Sequence, residues 1–70
     1  MTGEEWVAAF AASLGVAAPD AATVEVLLDL AGAAAHASER TAAPIACYLV
    51  GLAGADPAVA LAAAEDVPAD

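Results

Sequence analysis

The chain contains no lysine, asparagine or glutamine, and Arg40 is its one permanent cation against ten aspartates and glutamates, a formal net charge of -9 over 70 residues. With no basic surface to meet phosphate backbones or anionic headgroups, neither nucleic acid nor a membrane surface is an expected partner. A single cysteine, Cys47, excludes an internal disulfide. One histidine beside that one cysteine leaves no second Cys or His at zinc-ligand spacing, so no metal site is expected. The longest uncharged stretch, residues 41–55, is interrupted by Pro44, Gly51 and Gly54. It falls short of the roughly 18 apolar residues that a membrane-spanning helix needs. The five glycines are scattered, so there is no phosphate-cradling loop, and no calcium-loop pattern, strand signal or internal repeat is present. No cofactor is implied.

What the chain does contain is alanine, about a third of all residues, which lifts the mean hydropathy to +0.77 without adding much bulk to bury. A chain of 70 residues makes one domain. A core of that size supplies only about 3–5 kcal/mol, so very regular helix packing or a partner is needed. The first residues carry acids, Glu4 and Glu5, where a secretory leader would carry Lys or Arg. A cytoplasmic protein with Cys47 reduced is therefore expected.

The periodicity predicts an all-α fold, a small bundle of four short helices over about 3–14, 24–37, 44–53 and 57–66, with 1–66 as the domain and 67–70 as a frayed tail. Thr2 and Glu5 form a capping box, and Gly15 stands where a left-handed cap belongs. Trp6, Val7, Phe10 and Leu14 share one stripe of the first helix, the strongest amphipathic pattern in the chain. Trp6 is expected in the core near the bundle edge, where its indole N–H can find an acceptor. Asp20 or Thr23 caps the second helix, whose core stripe is Leu27, Leu30, Ala31 and Ala34 with Val24 on its margin. Pro44 is placed as the first residue of the third helix. There Ile45, Tyr48, Leu49 and Leu52 form the main stripe, yet Ala46, Cys47, Val50 and Gly51 opposite carry no charge either, so burial all round is expected. Asp56-Pro57 opens the fourth helix.

Two constellations stand out. On the polar face of the second helix, Glu25, Asp29, Gly32, His36 and Glu39 align, with Arg40 beside them. Asp29, His36 and Arg40 form a candidate recognition face, in which His36 and Arg40, four apart, present donors to a carboxylate or phosphate. The same residues also read as a solvated face whose cations suit a helix C-terminus. His36 has no nucleophile in a recognisable arrangement, so no catalytic residue is assigned and the protein is not expected to be an enzyme. The second constellation is Ala46, Cys47, Val50 and Gly51, a smooth side on which another helix can approach closely. That neighbour is either a helix of the same chain or a second protein.

Glu4-Glu5-Trp6, Leu14-Gly15, Leu27-Leu28-Asp29-Leu30-Ala31, Ala35-His36, Arg40, Ala43-Pro44 and Tyr48-Leu49-Val50-Gly51-Leu52 together resemble a small actinobacterial helical domain family of unknown function. Its members occur alone or as a C-terminal extension of molybdenum-cofactor guanylyltransferase, the molybdopterin guanine dinucleotide biosynthesis protein. The chain departs from that pattern at Thr41, where proline is common, and at Ala46-Cys47, where two threonines are common. The resemblance implies a role in molybdenum-cofactor maturation, with a biosynthesis protein as partner. It lends no guanylyl transfer, because the nucleotide-binding loop of that enzyme is missing.

Three functions are carried forward. The leading one is a non-catalytic acidic accessory domain that binds a protein partner through the acidic surface and the third helix. A self-associating module dimerising through the third helix is the second. The third is an anion or pterin-phosphate site at His36 and Arg40. Composition alone yields one prediction. Mutual repulsion among ten acids, with Glu25 and Asp29 a like-charged pair one turn apart, makes the fold salt-stabilised. The melting temperature should rise with added salt, and a flat response would show that the repulsion is negligible.

Overall fold

A computed structural model, which describes residues 1–69, contains four helices: α1 (Gly3–Leu14), α2 (Ala21–Ala37), α3 (Ala42–Ala53) and α4 (Pro57–Glu65). No strand occurs among the described residues. The fold is a small all-α bundle, as the periodicity implies. Asp70 of the expected tail lies outside the described residues. Val67 and Pro68 share a surface hollow with Ala33 and Ala37 of α2.

Each helix begins where its first N–H groups find acceptors. In α1 the Thr2 N–H donates to Glu5 Oε1 at 2.8 Å and the Glu5 N–H donates to Thr2 Oγ1 at 3.1 Å, closing the capping box. The second helix starts three residues earlier than expected because Asp20 Oδ1 accepts the Thr23 N–H at 2.8 Å, which places Ala21 and Ala22 inside it. The third starts at Ala42 rather than at Pro44, and no side chain caps it. Its start is satisfied by backbone: Ala42 N–H donates to Glu39 O at 2.9 Å and Ala43 N–H to Arg40 O at 3.1 Å, and Pro44 has no N–H to satisfy. In α4, Asp56 Oδ1 accepts the Ala58 N–H at 2.8 Å, and the helix ends at Glu65, one residue short of expectation.

Glycine ends α1 and α3. Gly15 (φ 75°) and Gly54 (φ 64°) adopt the left-handed conformation that L side chains avoid. At each, two bonds turn back onto the last turn: Val16 N–H to Ala11 O and Gly15 N–H to Ala12 O, then Ala55 N–H to Val50 O and Gly54 N–H to Gly51 O.

The packing centres on α2, which lies against both α3 and α4, whereas α1 makes no comparable packing with any other helix. Among the described residues Leu30 is the one large side chain removed from water, at 1% exposure, and of the small ones only Ala11 is buried. The expected stripe of α2 holds: Leu27, Ala31 and Ala34 flank Leu30 as half-buried residues. On α3 the expectation of burial all round fails. Ala42, Ala43, Ala46, Cys47 and Val50 are half-buried, and Ile45, Tyr48, Leu49 and Leu52 are exposed. The side of α3 turned to α2 is its small-residue side, which leaves the bulky stripe on the outside. Gly51, expected at a close helix contact, is exposed, and a Cβ there would meet nothing within 4 Å.

The consequence shows in the dimensions. The chain leaves 5190 Å² accessible, where a folded monomer of its mass exposes about 3,900 Å². Its radius of gyration is 12.6 Å, against about 11 Å for a compact domain of this length.

Two predictions follow from these local arrangements. Gly32 and Gly51 lie inside helices with open space where a Cβ would go, so Gly32→Ala and Gly51→Ala should each stabilise by about 0.5–1 kcal/mol. Thermal unfolding followed by circular dichroism checks this, and a lowered melting temperature would reveal a neighbour too close for a methyl group.

The other concerns acid. Hydrogen bonds with the Thr2 backbone and then its hydroxyl hold the Glu5 carboxyl below the ordinary Glu value of 4.5. The Thr23 hydroxyl and N–H hold Asp20 below the ordinary Asp value of 3.8. A depressed folded-state pKa contributes stability that is complete above the unfolded value and lost as pH falls through the folded one. Carboxyl titration by NMR should therefore show the Glu5 midpoint below 4.5 and the Asp20 midpoint below 3.8, with the first turns of α1 and α2 loosening as Glu5 and Asp20 protonate. In Glu5→Gln the α1 response should flatten.

Candidate functional site

The sequence places two kinds of side chain where chemistry could happen: the polar face of α2 and the apolar stripes of α1 and α3. Asp29 and His36 are both exposed on α2, two turns apart, which separates them by about 10 Å along the helix. Arg40 does not extend that face, because α2 ends at Ala37 and Ser38 leaves the helix at φ -142°, ψ -97°. Ser38 closes this end twice, its N–H donating to Ala34 O at 3.2 Å and its hydroxyl to the same oxygen at 2.8 Å. His36 and Arg40 therefore lack the helical four-residue spacing that would aim both at one anion. His36 instead lines an open depression with Glu65 and Asp66, whose carboxylates disfavour an anionic ligand there. No group of three or more His, Cys, Asp or Glu residues suited to a metal ion occurs among the described residues.

Cys47 is a free thiol, half-buried with Ala46 and Val50 on the inward side of α3. Of the four residues expected to form a helix–helix interface, Ala46, Cys47 and Val50 thus stand on the side turned into the chain, and Gly51 stands exposed. The smooth side serves intrachain packing, and the bulky side remains available.

Helix α1 carries the larger departure. Its stripe was expected to fill the core, yet Trp6 is 55% and Phe10 48% exposed, with Val7 and Leu14 also open to solvent. The helix is rolled so that Ala11, not the aromatic pair, is its most buried residue. Trp6 and Phe10, one turn apart, stack with ring centroids 5.1 Å apart and planes tilted by 31°. Beside them Gly3, Glu4 and Val7 of α1 and Ala21, Val24 and Leu28 of α2 line an apolar groove of about 420 Å³. A second hollow, about 620 Å³ at the α2–α3 turn, is more open and has Glu39 as its one charged wall, which disfavours an anion there. The groove beside the aromatic pair is the better binding feature.

Sequence reasoning missed this groove. The signal was Leu27-Leu28: adjacent helix positions point about 100° apart, so both leucines cannot face one core stripe. Leu27 is half-buried and Leu28 is exposed on the groove. Its acids are equally readable, with Glu4 on the wall and Glu5 in the same first turn of α1.

No described helix is long and apolar enough to cross a membrane. No curated protein and no solved structure matches the chain. The chain belongs to the DUF6457 family, a domain of unknown function, which matches over residues 1–69.

Proposed function

We propose that this DUF6457 domain is a non-catalytic adaptor that binds a protein partner through α1 and the groove it forms with α2. The observation that carries this reading is the uncovered Trp6–Phe10 face on a helix with little packing against its own chain. A helix of 12 residues is marginal in water on its own, and most helical stability comes from burying an apolar face. Covering that face with a partner supplies the missing burial, and Trp is among the residue types that dominate interface energetics.

Charge describes the partner. Glu4 lines the groove, Glu5 follows it, and the whole chain carries -9, so the complementary ligand is an amphipathic helix with apolar anchors and a basic rim. The resemblance to the extension of molybdenum-cofactor guanylyltransferase makes a protein of molybdenum-cofactor maturation the candidate, in the cytoplasm, where Cys47 stays a thiol. The anion reading at His36 and Arg40 draws less support, since the end of α2 separates the two side chains.

The test uses a peculiarity of the chain. With no lysine in the sequence, an amine-reactive dye spares every side chain and attaches at the N-terminal amine of the purified chain. Fluorescence anisotropy of the labelled chain against purified molybdenum-cofactor guanylyltransferase should show saturable binding that weakens with salt. Phe10→Glu, at an exposed position, should reduce affinity at least about tenfold, or 1.4 kcal/mol, at unchanged helix content. No binding would remove the molybdenum-cofactor partner, and full binding by Phe10→Glu would remove this surface.

A further inference from the structure

The outer face of α3 needs a different occupant. Ile45, Tyr48, Leu49 and Leu52 lie on one side of the helix at 54 to 69% exposure, with Ile45 and Leu49 also edging the hollow at the α2–α3 turn. Four large apolar side chains in one stripe exceed the scattered exposed residues that ordinary surfaces tolerate. Alone among the helices, α3 contains no charged residue: α1 has Glu4 and Glu5, α2 has Glu25 and Asp29, and α4 has Glu65.

That distribution selects the partner. A surface evolved to meet a basic protein would use the acids the chain has in excess, and α3 uses none. Two copies of a chain carrying -9 repel each other, so a homotypic contact is feasible where the meeting faces hold no charge and the acids stay at a distance. In a two-fold pair each residue meets its own face, and a helix lined by Ile, Tyr and Leu is complementary to itself. The area leaves room for such a contact: the whole chain, the α1 face included, exposes about 1,300 Å² more than a monomer of its mass, and a standard interface removes about 800 Å² from each partner. Tyr48 suits such a contact, with a ring to bury and a hydroxyl that can reach the wet rim.

We infer that the protein is a homodimer in which the Ile45, Tyr48, Leu49 and Leu52 face of α3 packs against the same face of a second copy. The small-residue side of α3, with Ala46 and Cys47, remains inside each protomer. This pairing rests on α3 alone and is independent of the groove beside α1.

Light scattering on the intact chain, from micromolar to millimolar concentration, tests it. A mass of twice 6.7 kDa is expected, with a dissociation constant that falls as salt screens the like-charged protomers, the opposite of the response expected for a basic partner. The double variant Leu49→Glu, Leu52→Glu places two charges on the face of each copy at positions exposed in the protomer. It should weaken the dimer at least about a hundredfold, or 2.7 kcal/mol, at unchanged helix content, whereas Phe10→Glu should leave the dimer intact. A monomer at millimolar concentration overturns the inference. So does a dimer that survives the double variant, or one that Phe10→Glu dissolves.

Discussion

The packing of α3 and α4 on α2 governs this fold. The sides of α2 and α3 that meet are rich in alanine, and among the described residues Leu30 is the one large side chain fully withdrawn from water. A core of one leucine flanked by half-buried small residues removes little apolar area from water, at about 25 cal/mol for each Å². The chain therefore depends on local devices to hold its helices: a capping box, two aspartate caps and two glycine-terminated ends. Most of its bulky side chains line the outside.

Helix number and helix ends were legible in the sequence because they are decided locally. Thr2, Asp20, Gly15, Gly54 and Asp56 each act within a few residues of their own position, and each does in the structure what its chemistry implies. The start of α3 was misread for the same reason in reverse: a backbone turn through Glu39 and Arg40 does the work of a cap, and backbone carbonyls carry no residue signature. What periodicity could not show is which side of an apolar helix faces inward. On α3 both sides are apolar, and the choice fell to side-chain size; on α1 the stripe is real, yet little of the chain lies against it. The candidate polar face fared differently. Asp29 and His36 were placed correctly on the surface of α2, while Arg40 fell beyond a helix end that depends on the conformation of Ser38.

Family membership and geometry bear on separate questions. Membership in DUF6457 covers residues 1–69 and leaves chemistry open. The geometry divides the exterior into an acid-flanked groove beside two stacked aromatics and a charge-free stripe on another helix. The two surfaces belong to different helices, and the salt responses expected of them are opposite in sign. An adaptor that pairs through one and recruits through the other would present its groove twice, and two linked grooves engage a bivalent partner far more tightly than either alone.

The uncapped start of α3 bears on how the chain can vary. Thr41 sits at φ -65° and ψ -17° and contributes no cap through its side chain. That φ lies in the range a pyrrolidine ring imposes, yet Thr41 is the third residue of the turn closed by the Ala42 N–H and Glu39 O, a place where proline constrains the residue before it. A ring at position 41 would lower the entropy lost on folding while straining the turn that starts α3, so stiffness and geometry pull that position in opposite directions.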